Sequence, residues 1–259
     1  MATLTNPFVA VVDQINGFPQ RPHSLYFKQL SPGIQERYRV KKVKMYITLQ
    51  KALEQVGKIL EPDEKIVNMM PITNENGSTA ATSGVMGMYA AKTATATDYI
   101  KEQDSLRDNR LLIFTDRRMI FFVVIEFIDD PTVYYSYYYD RIPALKLKQH
   151  KQSIPTDNHR PWRRNVLHWY TLDFQTTDKR VFTEILNADN ADLFKRNLLM
   201  IPKMTEIEVT DRVKRRSKFD FAMSNVNFSI WSGNGMLIVG GVLLFLLVIL
   251  PKLVTYFLK

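Results

Sequence analysis

Residues 111–122 read LLIFTDRRMIFF, an oily stretch split by Thr115, Asp116, Arg117 and Arg118. A carboxylate beside two guanidiniums allows three readings: acid–base chemistry, anion binding, or a turn. Apolar runs on both sides read as strands. Asp116 is therefore read as a turn former, with Arg117 and Arg118 starting the next strand. Asp129 and Asp130 are a second pair of carboxylates, but they stand directly before Pro131, and that too is turn chemistry. His150, His159 and His168 recur at equal spacing with no cysteine and no clustered carboxylate beside them, so a metal site is not expected. No P-loop, nucleophile elbow, HExxH or dinucleotide fingerprint is present. The expectation is a protein with no catalytic residue, no metal and no cofactor.

The residues that stand out are basic. The stretch 149–165, QHKQSIPTDNHRPWRRN, reads as a loop. With its flanks it gathers Lys146, Lys148, Lys151, Arg160, Arg163 and Arg164 against Asp157 alone, with Trp162 among the arginines. Basic residues around an exposed aromatic suit an anionic headgroup or an acidic protein groove. The plain alternative is a solvated loop with Trp162 packed on the body. A second cluster, RVKRRSK at 212–218, supplies Arg212, Lys214, Arg215, Arg216 and Lys218 with no acid, a candidate for juxtamembrane lipid contact. A third, RYRVKKVK at 37–44, is either a solvated helix face or a surface for anionic lipid or an acidic partner. The formal net charge of +9 points the same way. Nucleic acid is not expected, because no reading motif accompanies the charge.

The chain has 259 residues, 46% hydrophobic and 24% charged, enough for one sizeable core with attachments. The absence of cysteine excludes disulfides and thiolate chemistry. No signal peptide is visible at the start. Residues 236–258 are apolar but for Pro251, Lys252 and Thr255, with Trp231 and Tyr256 at the edges. Roughly 20 apolar residues cross a bilayer, so this stretch reads as a transmembrane helix within 230–258. A buried core helix or a re-entrant segment are the alternatives. The basic cluster at 212–218 then places the preceding body in the cytoplasm by the positive-inside rule.

These residues need elements to hold them. Leu4, Phe8, Val11, Val12 and Ile15 fall at helical spacing. Ser31 and Pro32 open a second helix that runs to about residue 60, so 1–60 reads as a helical extension. Strands are predicted over 64–72, 111–114, 119–125, 132–139, 144–148, 166–175 and 180–186, and a closing helix over 187–200. Residues 73–108 read as an insertion loop rich in small residues. Its apolar knot is Val85, Met86, Met88 and Tyr89, which either docks on a membrane or partner or tucks into the domain edge. Residues 201–229 form a basic juxtamembrane linker.

Antiparallel strands closed by one C-terminal helix resemble a pleckstrin-homology-like fold. The likeness rests on LLIFTDRRMIFF, the acidic turn and strand EPDEKIV before it, SYYYDRI after it, and the hairpin LDFQTTDKRVFTEI. The motifs are similar to those of bacterial PH-like and GRAM-like domains over residues 61–200. The resemblance implies an α+β, PH-like antiparallel barrel or sandwich closed by a helix. It also implies a non-enzymatic role in binding lipid or protein at a membrane, in a bacterial inner membrane. The reading drawn from all of this is a tail-anchored scaffold or subunit of a membrane-associated assembly. The alternative is a lipid-headgroup-binding or membrane-sensing module. Expected partners are membrane lipid and other proteins, with a homo-oligomer also compatible.

Overall fold

The computed structural model describes residues 6–18, 30–72, 92–103, 109–155, 164–212 and 214–218. The order is α1 (Pro7–Ile15), α2 (Pro32–Ile59), β1 (Ile66–Ile72), α3 (Ala94–Gln103), β2 (Arg110–Thr115), β3 (Arg118–Val123), α4 (Val124–Asp129) and β4 (Tyr135–Tyr138). A 3-10 turn (Tyr139–Arg141) leads to β5 (Ala144–Pro155), β6 (Arg164–Gln175), β7 (Val181–Leu186), α5 (Ala188–Met200), α6 (Pro202–Thr205) and β8 (Glu208–Thr210). The class is α+β. One four-stranded sheet has the order β1-β2-β3-β4, and a second has β7-β6-β5-β8. Among the described residues the only parallel pair is β5 with β8.

Strand periodicity explains how the layers stack. Successive side chains point to opposite faces, so a strand covered on both faces reads as a continuous oily run. In β2, Leu112 and Phe114 face the second sheet, while Leu111 and Ile113 face the helices. In β3, Met119 and Phe121 face the sheet and Ile120 and Phe122 face the helices. The inter-sheet core is aromatic. Phe182 contacts Phe121, Tyr137 and Phe174 with ring centroids 5.8, 5.4 and 5.1 Å away. On the outer face of the first sheet, Phe8, Val11 and Val12 of α1 and Leu49, Ala52 and Val56 of α2 are buried. The helical extension is thus a third layer over the sandwich.

Among the described residues the sheets do not close into a barrel. The 3-10 turn carries the chain from β4 to β5 in the other sheet, and β1 and β7 remain unpaired edges. Helix α5 fills the opening between them. Phe194 meets Phe114 edge-on at 5.8 Å. Asparagines then satisfy the backbone of β1. Asn190 donates from Nδ2 to the Pro71 carbonyl at 2.6 Å. Asn16 accepts from the Met69 N–H at 2.9 Å and donates to the Met69 carbonyl at 2.8 Å. Asn197 exchanges amide bonds with Asn68 at 2.6 and 3.0 Å. An open edge is a pairing hazard, and here side-chain amides stand in for a neighbouring strand.

Every predicted strand is present, with four corrections, the first being that residues 202–205 and 208–210, read as part of the linker 201–229, form α6 and β8. Residues 124 and 125 do not continue β3: Val124 opens α4, which turns Phe127 onto Phe122 with ring centroids 4.4 Å apart. The stretch 149–155, read as loop, is strand, and so is 164–165; both belong to β5 and β6. Helix α3 occupies 94–103, within the stretch read as an insertion loop. The apolar knot at residues 85–89 and the apolar stretch 236–258 lie outside the described residues. Among the described residues no helix is long and apolar enough to cross a membrane.

Candidate functional site

The Thr-Asp-Arg-Arg turn is a clamp. Thr115 ends β2 and Arg118 starts β3; Thr115 Oγ1 accepts from the Arg117 and Arg118 N–H groups at 3.1 and 2.9 Å. Asp116 pairs with the 61–65 segment: its carboxylate accepts from the Lys65 N–H at 2.9 Å, and its own N–H donates to the Lys65 carbonyl at 3.0 Å. Arg118 is 5% exposed. It grips Glu64 through Nε and one terminal nitrogen at 2.9 and 2.8 Å. The same guanidinium donates to the Ile59 carbonyl, Ser136 Oγ and Tyr138 Oη at 2.8, 3.0 and 3.3 Å. Arg117 donates to Glu61 at 3.1 Å, and the Tyr138 hydroxyl also donates to Glu61. Burial alone would raise the Glu64 carboxyl. The bonds from Arg118, the Glu61 N–H and Thr115 outweigh it and hold the group below its ordinary range. The buried Arg118–Glu64 pair ties the end of α2 to β3 and β4, and Arg117 pairs with Glu61 at its more exposed rim.

The basic loop of the sequence reading becomes an arm. Strands β5 and β6 pair from Leu145 with Phe174 out to Pro155 with Arg164. The rest of the sheet supports only the root. Strand β8 pairs with β5 at Ala144, Leu145 and Lys146, and β7 pairs with β6 from Tyr170 to Gln175. Beyond that, 147–155 and 164–169 form a two-stranded ribbon with both edges unpaired among the described residues. Val166 and Leu167 are 53% and 51% exposed.

Register divides the candidate residues between two faces. Lys146, Lys148 and His150 lie opposite Asp173, Thr171 and Trp169 on one face. Lys151 lies opposite His168 on the other, the face that Arg164 shares. His150 stacks on Trp169 with centroids 5.5 Å apart and 10° between planes. Partial burial, then Lys146 and Lys148, push the His150 imidazole below its usual value, so its neutral form is favoured on this face. Arg164 is turned back along the ribbon, donating to Ser153 Oγ at 2.8 Å and the Ser153 carbonyl at 3.1 Å. Arg160, Trp162 and Arg163 lie outside the described residues. Of the residues the sequence collected, the four described ones divide between the two faces of the ribbon: Lys146 and Lys148 on one, Lys151 and Arg164 on the other.

The second cluster, at 212–218, is a strap. Arg215 is 2% exposed and meets Asp173 of β6 at 2.6 Å. Burial raises the Asp173 carboxyl, with Arg215 opposing. The Arg216 N–H donates to Gln175 Oε1 at 2.9 Å, and Lys214 pairs with Glu208 at 2.6 Å. Arg215 thus holds the strap down, while Arg212, Lys214, Arg216 and Lys218 remain exposed. Two clefts are present, the first beside the strap and the second beside the Arg118 clamp. One of about 470 Å³ is lined by Pro143, Thr177 and Arg216 among others; one of about 530 Å³ is lined by Arg141, Asp178 and Arg180 among others. In the second cleft Arg141 and Arg180 both face Asp178, at 3.9 and 3.2 Å.

Sequence reasoning missed Glu61, Glu64 and Asp173 as partners of the arginines. The acidic segment EPDE was visible, but nothing local marks Asp173. Among the described residues no group of histidines and carboxylates is placed to hold a metal. Comparison of the chain with protein-family models, with curated proteins and with solved structures finds no match.

Proposed function

We propose that the chain is a membrane-anchored scaffold, a non-enzymatic PH-like body that holds a partner protein beside a membrane. The PH-like part rests on the sandwich closed by α5 and on the clamp formed by the 111–122 motif. The anchor rests on the apolar sequence 236–258, and the cytoplasmic body on the basic charge before it.

One observation carries the choice of partner. The strap sits at the root of β5, against Pro143. The described end of β5, Pro155, is eleven residues further along from Ala144, or about 36 Å at ~3.3 Å per residue. A strap held near a bilayer surface leaves the arm free to reach a protein away from the strap. The second reading, headgroup contact, is favoured at the strap alone, where Arg212, Lys214, Arg216 and Lys218 are exposed.

The test is mild detergent extraction of the intact chain after crosslinking in its native membrane. A stoichiometric protein partner is expected, crosslinked through the arm. A chain that extracts alone, with only lipid crosslinked to it, refutes the scaffold reading and favours headgroup contact.

A further inference from the structure

Strand β8 shows what the free edge of β5 is built to accept. A short segment of this same chain already lies along β5 in parallel register, Ala144 with Glu208 through Lys146 with Thr210. It stops at Thr210, but β5 runs on to Pro155. Along 147–155, alternate residues turn their N–H and C=O groups to this edge, with no neighbouring strand among the described residues. Such an edge is a template for strand addition.

The charge on the ribbon selects what is added. Residues 147–155 and 164–169 contain Lys148, Lys151 and Arg164 and no carboxylate. Lys148 and Lys151 are exposed and stand on opposite faces, so an incoming strand meets a cation whichever way it is turned. Apolar contacts are available beside them: Leu167 on the Lys148 face and Val166 on the Lys151 face, both half exposed. The opposite edge, on β6, is less open. At its root Lys195 of α5 lies 4.5 Å over the Tyr170 ring. Pro155, which has no N–H to donate, ends the usable edge.

We propose that residues 147–155 of β5 bind an extended acidic segment of a partner protein, which adds to the sheet as a strand continuing the line of β8. Main-chain hydrogen bonds hold the segment, and carboxylates on both of its faces meet Lys148 and Lys151. This rests on the scaffold reading above and names the chemistry of the partner.

The experiment uses the full chain in neutral detergent micelles. The probe is a fluorescein-labelled peptide of about eight residues built from Glu, Val and Thr, long enough to span ~27 Å of edge. Saturable binding by fluorescence anisotropy is expected. Lys148→Glu together with Lys151→Glu should weaken it by about tenfold or more. N-methylating alternate peptide nitrogens should abolish it, because the main-chain bonds are lost. A lysine-for-glutamate peptide should not bind. Equal binding of the N-methylated peptide overturns strand addition, and equal binding by the double variant overturns the assigned edge. Circular dichroism of the double variant checks that it is folded. If it misfolds, Gln149→Pro, which removes an N–H from the same edge without changing charge, replaces it, and undiminished binding there overturns the proposal. Loss of peptide binding when anionic vesicles are added, with no effect from neutral ones, would show a lipid surface as the true occupant and overturn it as well. A partner crosslinked through a different surface refutes the strand proposal but not the scaffold reading. Specific peptide binding by a chain with no partner refutes the scaffold reading but not the edge.

Discussion

Breaking the clamp from one side should cost far more than removing it whole. In Glu64→Leu the guanidinium of Arg118 keeps its charge and its 5% exposure but loses both bonds to the carboxylate. Its remaining acceptors, the Ile59 carbonyl and two hydroxyls, are neutral. Stranding one partner of a buried pair costs about 3–5 kcal/mol, a large share of the roughly 5–15 kcal/mol that holds a domain folded. In Glu64→Leu with Arg118→Met both charges leave and apolar volume fills the site, so the loss should fall to within about 2 kcal/mol of wild type. The assay is urea unfolding of the intact chain in detergent, followed by near-ultraviolet circular dichroism. With a slope near ~2 kcal/mol per molar, the single variant should unfold about 1.5–2.5 M earlier than wild type. The double variant should recover most of that shift. Acid supplies a second arm. The Glu64 carboxyl is held below its ordinary value, so its contribution is complete above the unfolded-state pKa of about 4.5 and is lost as pH falls through the folded one. The double variant should lack this part of the acid sensitivity. A single-variant shift under about 0.5 M, or a double variant as unstable as the two single losses added, would refute the account of the clamp.

Further consequences follow from the layers. Arg215→Ala should release the strap, seen as faster tryptic cleavage at Lys214 and Arg216 with the sandwich core still protected. Asn190→Leu leaves the Pro71 carbonyl without its donor and should cost about 1–3 kcal/mol, with faster amide exchange along β1. Phe182→Ala removes the ring on which Phe121, Tyr137 and Phe174 converge and should cost about 3–5 kcal/mol in the same urea assay. Replacing residues 151–168 by Asn-Gly closes a hairpin on the hydrogen-bonded His150–Trp169 pair, so the body should stay folded while peptide binding at the β5 edge is lost.

What local pattern exposes, and what it hides, is clear from particular residues. Strands β2 and β3 were legible because both faces are covered, which makes oily runs between turn residues. Helix α4 was not, since Val124, Ile125 and Phe127 prolong the run of β3 and only their packing on α2 and Phe122 bends the chain. The arm was hidden for the opposite reason. Neither face of 147–155 is buried by the body, so no alternation marks it as strand. Arg215 looks like its basic neighbours, and its burial depends on Asp173, forty-two positions earlier. The turn residues of the clamp were visible, but the identity of its acids depended on the return of the 61–65 segment to the turn.

The seating of Arg215 also decides how the body bears load. Tension arriving from the C-terminal side reaches the strap first, and the strap is fastened to β6, an interior strand, rather than to a loose terminus. Past Arg215 the pull meets β8, whose parallel ladder with β5 is loaded along its length, so its register pairs resist together instead of opening one after another. A tug from that end is carried into the sandwich as shear, the direction in which strand ladders are strongest.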